Sequence, residues 1–114
     1  MDDVRIGDLL FTSKCDIEGM DVITIDQKPL GMVSFQVVDI AAYTVRYIGV
    51  EAVKNIYLIP AELILDVDEN GLIMDFDANV SAKLLPLLEN WQESFARAFE
   101  EKIYSTLNLT PYWQ

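Results

Sequence analysis

From about Gly19 to Ala78 the chain strings together short segments rich in Val, Ile, Tyr and Phe. Turn residues break them about every 8–12 positions. That rhythm commits the segment to a small antiparallel sheet or barrel, because β-branched and aromatic residues favour a pleated, half-buried surface. Met20–Ile25 reads as the first strand, turned by Asp26-Gln27-Lys28-Pro29, where Pro fixes φ at a point that needs no ladder donor. Strands follow at Gly31–Ile40, Tyr43–Val50 and Asn55–Ile59, the last stopped by Pro60. Leu63–Asp68 and Leu72–Asp77 flank Glu69-Asn70-Gly71 and form the clearest hairpin, since Asn-Gly suits the positive φ of a type I′ turn.

With Asn70-Gly71 as the loop, Glu69 faces Leu72, Val67 faces Met74 and Leu65 faces Phe76. Leu63, Leu65, Val67, Leu72, Met74 and Phe76 are then expected to form one dry wall. The other face sets Asp66 opposite Asp75, with Asp68 and Asp77 nearby.

The periodicity turns helical from about Ser81. A helix is expected to start at Pro86, a residue favoured in the first turn. Its apolar stripe is Leu88, Trp91, Phe95, Phe99 and Ile103, with Glu89, Glu93, Arg97, Glu100 and Glu101 mainly on the opposite side. The fold class is therefore mainly β with a C-terminal helix: an antiparallel barrel within residues 1–80, and a helix and tail over 81–114 packed back on it as one folding unit.

Charge narrows the function. Eight Lys and Arg against nineteen Asp and Glu, with no His, leave a net charge of −11. Broad electrostatic binding to nucleic acid or anionic lipid needs a basic face. The lack of imidazole removes Ser/His and Cys/His nucleophile pairs and the zinc sites built on it. No apolar run approaches the roughly 20 residues of a membrane-spanning helix, so no membrane insertion is expected. The acidic Met1-Asp2-Asp3 is unlike a secretory leader, and the lone Cys15 fits a reducing, cytoplasmic setting.

One motif points to chemistry. Asp66-Val67-Asp68-Glu69-Asn70-Gly71 fits the start of a calcium loop, whose alternate oxygen ligands converge on one ion around a Gly turn. Asp66, Asp68, Asn70, Asp75 and Asp77 are the candidate ligands for Ca2+ or Mg2+ in this alternative reading. The twelfth position, however, is Asp77 rather than Glu, and Pro60 leaves little room for an entering helix. The preferred reading is an acidic hairpin.

Gly19-Met20-Asp21-Val22-Ile23-Thr24-Ile25-Asp26, then Leu30-Gly31-Met32-Val33, a strand ending Val37-Val38-Asp39, and Ile59-Pro60-Ala61-Glu62-Leu63-Ile64 before Asp66-Val67 resemble the PRC-barrel. This domain is named after the cytoplasmic part of the H subunit of photosynthetic reaction centres. The ending Tyr104 to Trp113, with Pro111-Tyr112-Trp113, is similar to a tail that follows some stand-alone members. Two departures are the Asp-Gln-Lys-Pro turn, where the family has Asp-Gly, and the helix from Pro86, which lies outside the barrel. The resemblance implies a scaffold or docking module, self-associating and not catalytic, with no catalytic residues or cofactor to carry over. Together these readings predict an interaction protein that meets a basic protein partner through its acidic face, or a second copy through Trp91, Phe95 and Phe99. Tyr112 and Trp113 are further contact candidates.

Overall fold

The computed structural model describes residues 2–114, the Ser94 side chain excepted; Met1 of the acidic N-terminus lies outside the described residues. Eight strands form one sheet: β1 (Val4–Ile6), β2 (Leu9–Thr12), β3 (Asp21–Ile23), β4 (Pro29–Asp39), β5 (Thr44–Glu51), β6 (Ile56–Pro60), β7 (Ile64–Asp68) and β8 (Gly71–Met74). Among the described residues a 3-10 turn (Ala61–Leu63) sits between β6 and β7, and three α-helices follow the sheet: α1 (Ala78–Ser81), α2 (Trp91–Ser94) and α3 (Arg97–Thr106). The mainly β class with a C-terminal helix is what the sequence predicts. The sheet holds two strands more than the expected six, because β1 and β2 precede Met20.

The long β4 organises the sheet. Its first half pairs with β3 (Asp21 opposite Met32) and its second with β2 (Thr12 opposite Gln36, Leu9 opposite Asp39). β5 runs along the other side of β4, and β6 joins β5. The β3 arm continues through β8 to β7, so the sheet curls without closing. Every pairing is antiparallel except β3 with β8, which makes the sheet mixed. A register shift between Val33 and Phe35 lets β4 feed both faces: Val33 packs in one core cluster, Phe35 and Val37 in the other.

β5 is buried on both faces. Tyr47, Ile48, Gly49 and Val50 are consecutive buried residues, a pattern that needs a layer on each side. Ile48 and Val50 join Val22, Ile59, Leu72, Met74 and Phe76 in one cluster. Tyr47 joins Phe11, Phe35, Leu58, Ile103 and Tyr104 in the second, with Trp91, Phe95, Phe99, Tyr112 and Trp113 packed on it. The C-terminal segment is thus a lid on the second face.

That lid is not the continuous helix expected from Pro86. Leu87 N–H donates to the Ile56 carbonyl at 2.8 Å and Pro86 bridges Tyr57, so this stretch covers the edge of β6. Phe95 (φ −64°, ψ 126°) and Ala96 (φ −155°, ψ 169°) are extended and split α2 from α3. The break reconciles the aromatic stripe with a curved floor: Trp91 and Phe95 reach Phe11 with ring centroids at 4.7 and 5.2 Å. It also puts Glu93 and Arg97 in different helices.

The hairpin forms with a different register. Its loop is Glu69-Asn70, since Asp68 pairs with Gly71, Val67 with Leu72 and Asp66 with Ile73. Each partner moves by two residues, and because the pleat has period two Val67 keeps its face. A further shift between Ile64 and Asp66 turns Leu65 out. The expected dry wall therefore holds for Leu63, Leu72, Met74 and Phe76 but fails for Leu65 and Val67, which are 55% and 51% exposed. Asp66 does not face Asp75.

Gly71 explains the relocated turn. It takes φ 133°, and a Cβ there would run into the Asp21 carbonyl of β3. Gly71→Ala is expected to lose about 1–3 kcal/mol, the usual range for a strained backbone position. Urea unfolding followed by circular dichroism measures this; an unchanged midpoint contradicts it.

Candidate interaction surface

The sequence-derived contact residues split into two groups over one core. Trp91, Phe95 and Phe99 form the first. Trp91 lies parallel to Phe35 at 6.3 Å, and Phe95 meets Phe99 edge-on at 6.0 Å. Their inner faces fill the core, and their outer faces line an apolar groove of about 260 Å³ with Leu87, Leu88 and Lys102. Leu88 stands at this groove 65% exposed.

Tyr112 and Trp113 form the second group, half-buried and engaged by the protein's own side chains. Trp113 packs edge-on against Tyr104 at 5.4 Å, with the Arg97 guanidinium over its ring at 4.0 Å. Tyr112 carries the Arg46 guanidinium over its ring at 4.2 Å. Cation–π contacts of this kind hold an amphipathic ring without burying the cation.

Beneath them lies Glu100, which sequence reasoning placed on the polar side and which is 3% exposed. Its Oε1 accepts from the hydroxyls of Tyr47 (2.7 Å) and Tyr112 (2.8 Å), and its Oε2 lies 3.5 Å from Arg97 Nε. A buried carboxylate is tolerated when its lone pairs are filled this way. A signal for it exists in the sequence: with a helix starting at Arg97, Glu100 falls in line with Ile103 and Tyr104, both buried. Arg46 extends the network to Asp39, whose Oδ2 is 3.2 Å from Arg46 Nε. Burial by itself raises the Asp39 carboxyl, but the Ala42 N–H and the Arg46 guanidinium hold it below the usual carboxylate range.

The candidate cation ligands are not drawn together. Asp66 Oδ1 accepts from the Val67 N–H, Asp68 Oδ1 from the Asn70 N–H, and Asp77 Oδ1 from the Val80 N–H at the start of α1. The flanking elements are strands rather than helices. Among the described residues no group of three or more His, Cys, Asp or Glu is arranged to hold a metal ion, and no helix is long and apolar enough to cross a membrane.

A curled, unclosed sheet built on one long strand, with a lid over one face, defines a small module of the open-barrel type. The PRC-barrel domain family matches residues 13–80, more than half of the chain, and the protein belongs to that family. The match runs from β3 through β8: β1 and β2 precede it, and α2, α3 and the tail follow it. No curated protein is similar to the chain at a significant level.

Two predictions follow from the Glu100 network. Tyr47→Phe removes a hydrogen bond to a buried charge and is expected to destabilise the fold by about 1.5–3 kcal/mol. Denaturant unfolding reads this, and a loss under about 0.5 kcal/mol contradicts the network. The second concerns pH. Burial, reinforced by Glu100, pushes the Tyr47 and Tyr112 hydroxyls far above the ordinary tyrosine range, and burial pushes Tyr104 up to about 12. Unfolded tyrosine ionises near pH 10. Above that value the unfolded chain releases protons that the folded chain retains, so stability falls as pH rises. Phenolate absorbance from these three residues is expected to appear together with loss of circular dichroism; phenolates forming at these three positions in a fully folded protein contradict it.

Proposed function

We propose that this PRC-barrel protein is a non-catalytic interaction module that associates with a second copy of itself through the groove of α2 and α3. The observation that carries this is the apolar groove with Leu88 standing exposed beside Trp91, Phe95 and Phe99. Aromatic and aliphatic anchors around a concave centre are what a contact core uses. Glu89 adjoins Leu88 in sequence and Lys102 lines the groove, so both charge signs lie near the patch, which suits an isologous two-fold contact. The non-catalytic part rests on how the buried carboxylates are engaged. Glu100 holds Tyr47, Tyr112 and Arg97, and Asp39 holds Ala42 and Arg46. Both serve the protein's own structure.

Light scattering over a concentration series tests the reading. The mass is expected to climb from 13.0 kDa toward twice that value. Added salt is expected to favour the dimer, because screening relieves repulsion between two acidic chains. Leu88→Glu is expected to weaken association by about 2 kcal/mol or more, the scale of a contact hot spot. A mass fixed at the monomer value up to millimolar protein overturns the proposal.

A further inference from the structure

The sheet has three terminal strands, and their free edges are treated differently. β1 is three residues long, Val4–Ile6. The edge of β6 is covered by Pro86 and Leu87. β7 runs for five residues and pairs with β8, with no second strand beside it among the described residues. Four of its five residues are exposed, Leu65 and Val67 among them. An edge strand with exposed apolar side chains is a template for another strand unless something blocks it.

The register shows which backbone groups are on offer. Asp68 and Gly71 close the turn and Asp66 opposes Ile73, so these residues address β8. In an antiparallel ladder the intervening residue, Val67, turns its N–H and C=O to the open side. That N–H donates to the Asp66 carboxylate at 2.8 Å. The chain's own acid thus occupies the site where a partner strand's carbonyl would dock.

The charge around this edge has one sign. From Asn55 to Ala82 there are six carboxylates (Glu62, Asp66, Asp68, Glu69, Asp75 and Asp77) and no Lys or Arg. We infer that β7 is a strand-addition site for an extended partner segment in which apolar residues alternate with Lys or Arg. The incoming carbonyl takes the Val67 N–H and releases the Asp66 carboxylate, which then pairs with a basic side chain on the same face. Apolar side chains of the segment pack beside Val67 on the other face, following the two-residue period of a strand. A second copy is a poor occupant, since β7 against β7 sets Asp66 and Asp68 against their own kind. This surface is separate from the α2–α3 groove, and the inference stands or falls independently of self-association.

The test uses the full chain and a labelled, end-blocked peptide of alternating Lys and Val, six residues long, with a Glu-Val peptide as control. Anisotropy is expected to show binding of the Lys-Val peptide that weakens about tenfold or more between low and high salt, as charge-steered contacts do. Amide exchange at Val67 is expected to slow, while Leu88→Glu binds the peptide unchanged. Val67→Pro removes the outward N–H at an edge position that tolerates Pro and is expected to weaken binding about tenfold at an unchanged melting temperature. Should that variant unfold, Asp66→Asn with Asp68→Asn serves instead and is expected to flatten the salt dependence. No binding at millimolar peptide, equal binding of the Glu-Val control, or binding without slowed exchange in β7 overturns the inference.

Discussion

From Tyr47 to Val50 β5 has no solvent side, and that constraint propagates through the molecule. Ile48 and Val50 look into the curl of the sheet, while Tyr47 and Gly49 look the other way. Gly49 is small because the Phe35 ring lies over it, leaving no room for a Cβ. A sheet apolar on both faces exposes a large sticky surface unless a second layer covers it. The chain after the barrel supplies that layer, and its shape follows from what it must cover. Pro86 and Leu87 seal the β6 edge, α2 and Phe95 fill the space over Phe11, and α3 lies over Tyr47 and Leu58. A straight helix cannot do all three, which accounts for the extended pair at Phe95 and Ala96.

The lid is specified as well as apolar. Hydrophobic contact alone fixes no unique position for an amphipathic segment, but Glu100 does. Its carboxylate sits at the junction of α3, β5 and the tail, and it is satisfied when Tyr47, Tyr112 and Arg97 are all in place. Arg97 then stacks on Trp113, and Arg46, paired with Asp39, stacks on Tyr112. Losing one partner leaves a buried charge undercompensated, so the unit favours all-or-none docking. Elements outside the PRC-barrel match, α3 and the tail, are thereby tied to strands β4 and β5 within it.

How far this was legible in sequence varies with the kind of signal. The strands from Asp21 to Met74 carry alternation or turn residues, and they were readable. β1 and β2 were not: Leu9–Thr12 lacks alternation because β2 packs within the sheet, and Val4–Ile6 is too short for a pattern. Asn-Gly is a local turn preference, and a tertiary contact overrides it. Gly71 is required where β8 passes the Asp21 carbonyl, so the loop moved to Glu69-Asn70. The aromatic stripe was correctly apolar but wrongly continuous, since helical periodicity does not reveal the curvature of the floor. Residue type alone places Glu100 on the polar side, and the structure buries it. Its place beside Ile103 and Tyr104 marks an inward position, yet the tyrosines that make burial tolerable lie at 47 and 112, beyond any local window.

The acidity of the chain then takes on a structural meaning. An unpaired strand bearing Leu65 and Val67 invites indiscriminate pairing, and acidic side chains on an edge are a recognised way to prevent it. Asp66 does this twice, occupying the outward Val67 N–H and presenting charge to any like strand. The same protection is selective, because a basic strand meets attraction where an acidic or neutral one meets repulsion or an unreleased carboxylate. The α2–α3 groove follows the opposite logic on the proposed reading: its lining is apolar apart from Lys102, and a copy of the same patch suits it. Salt separates the two surfaces, since screening strengthens contact between like-charged chains and weakens capture of a basic one. On the two proposed readings one copy and one foreign strand can be held together, because the β7 edge and the α2–α3 groove share no residue.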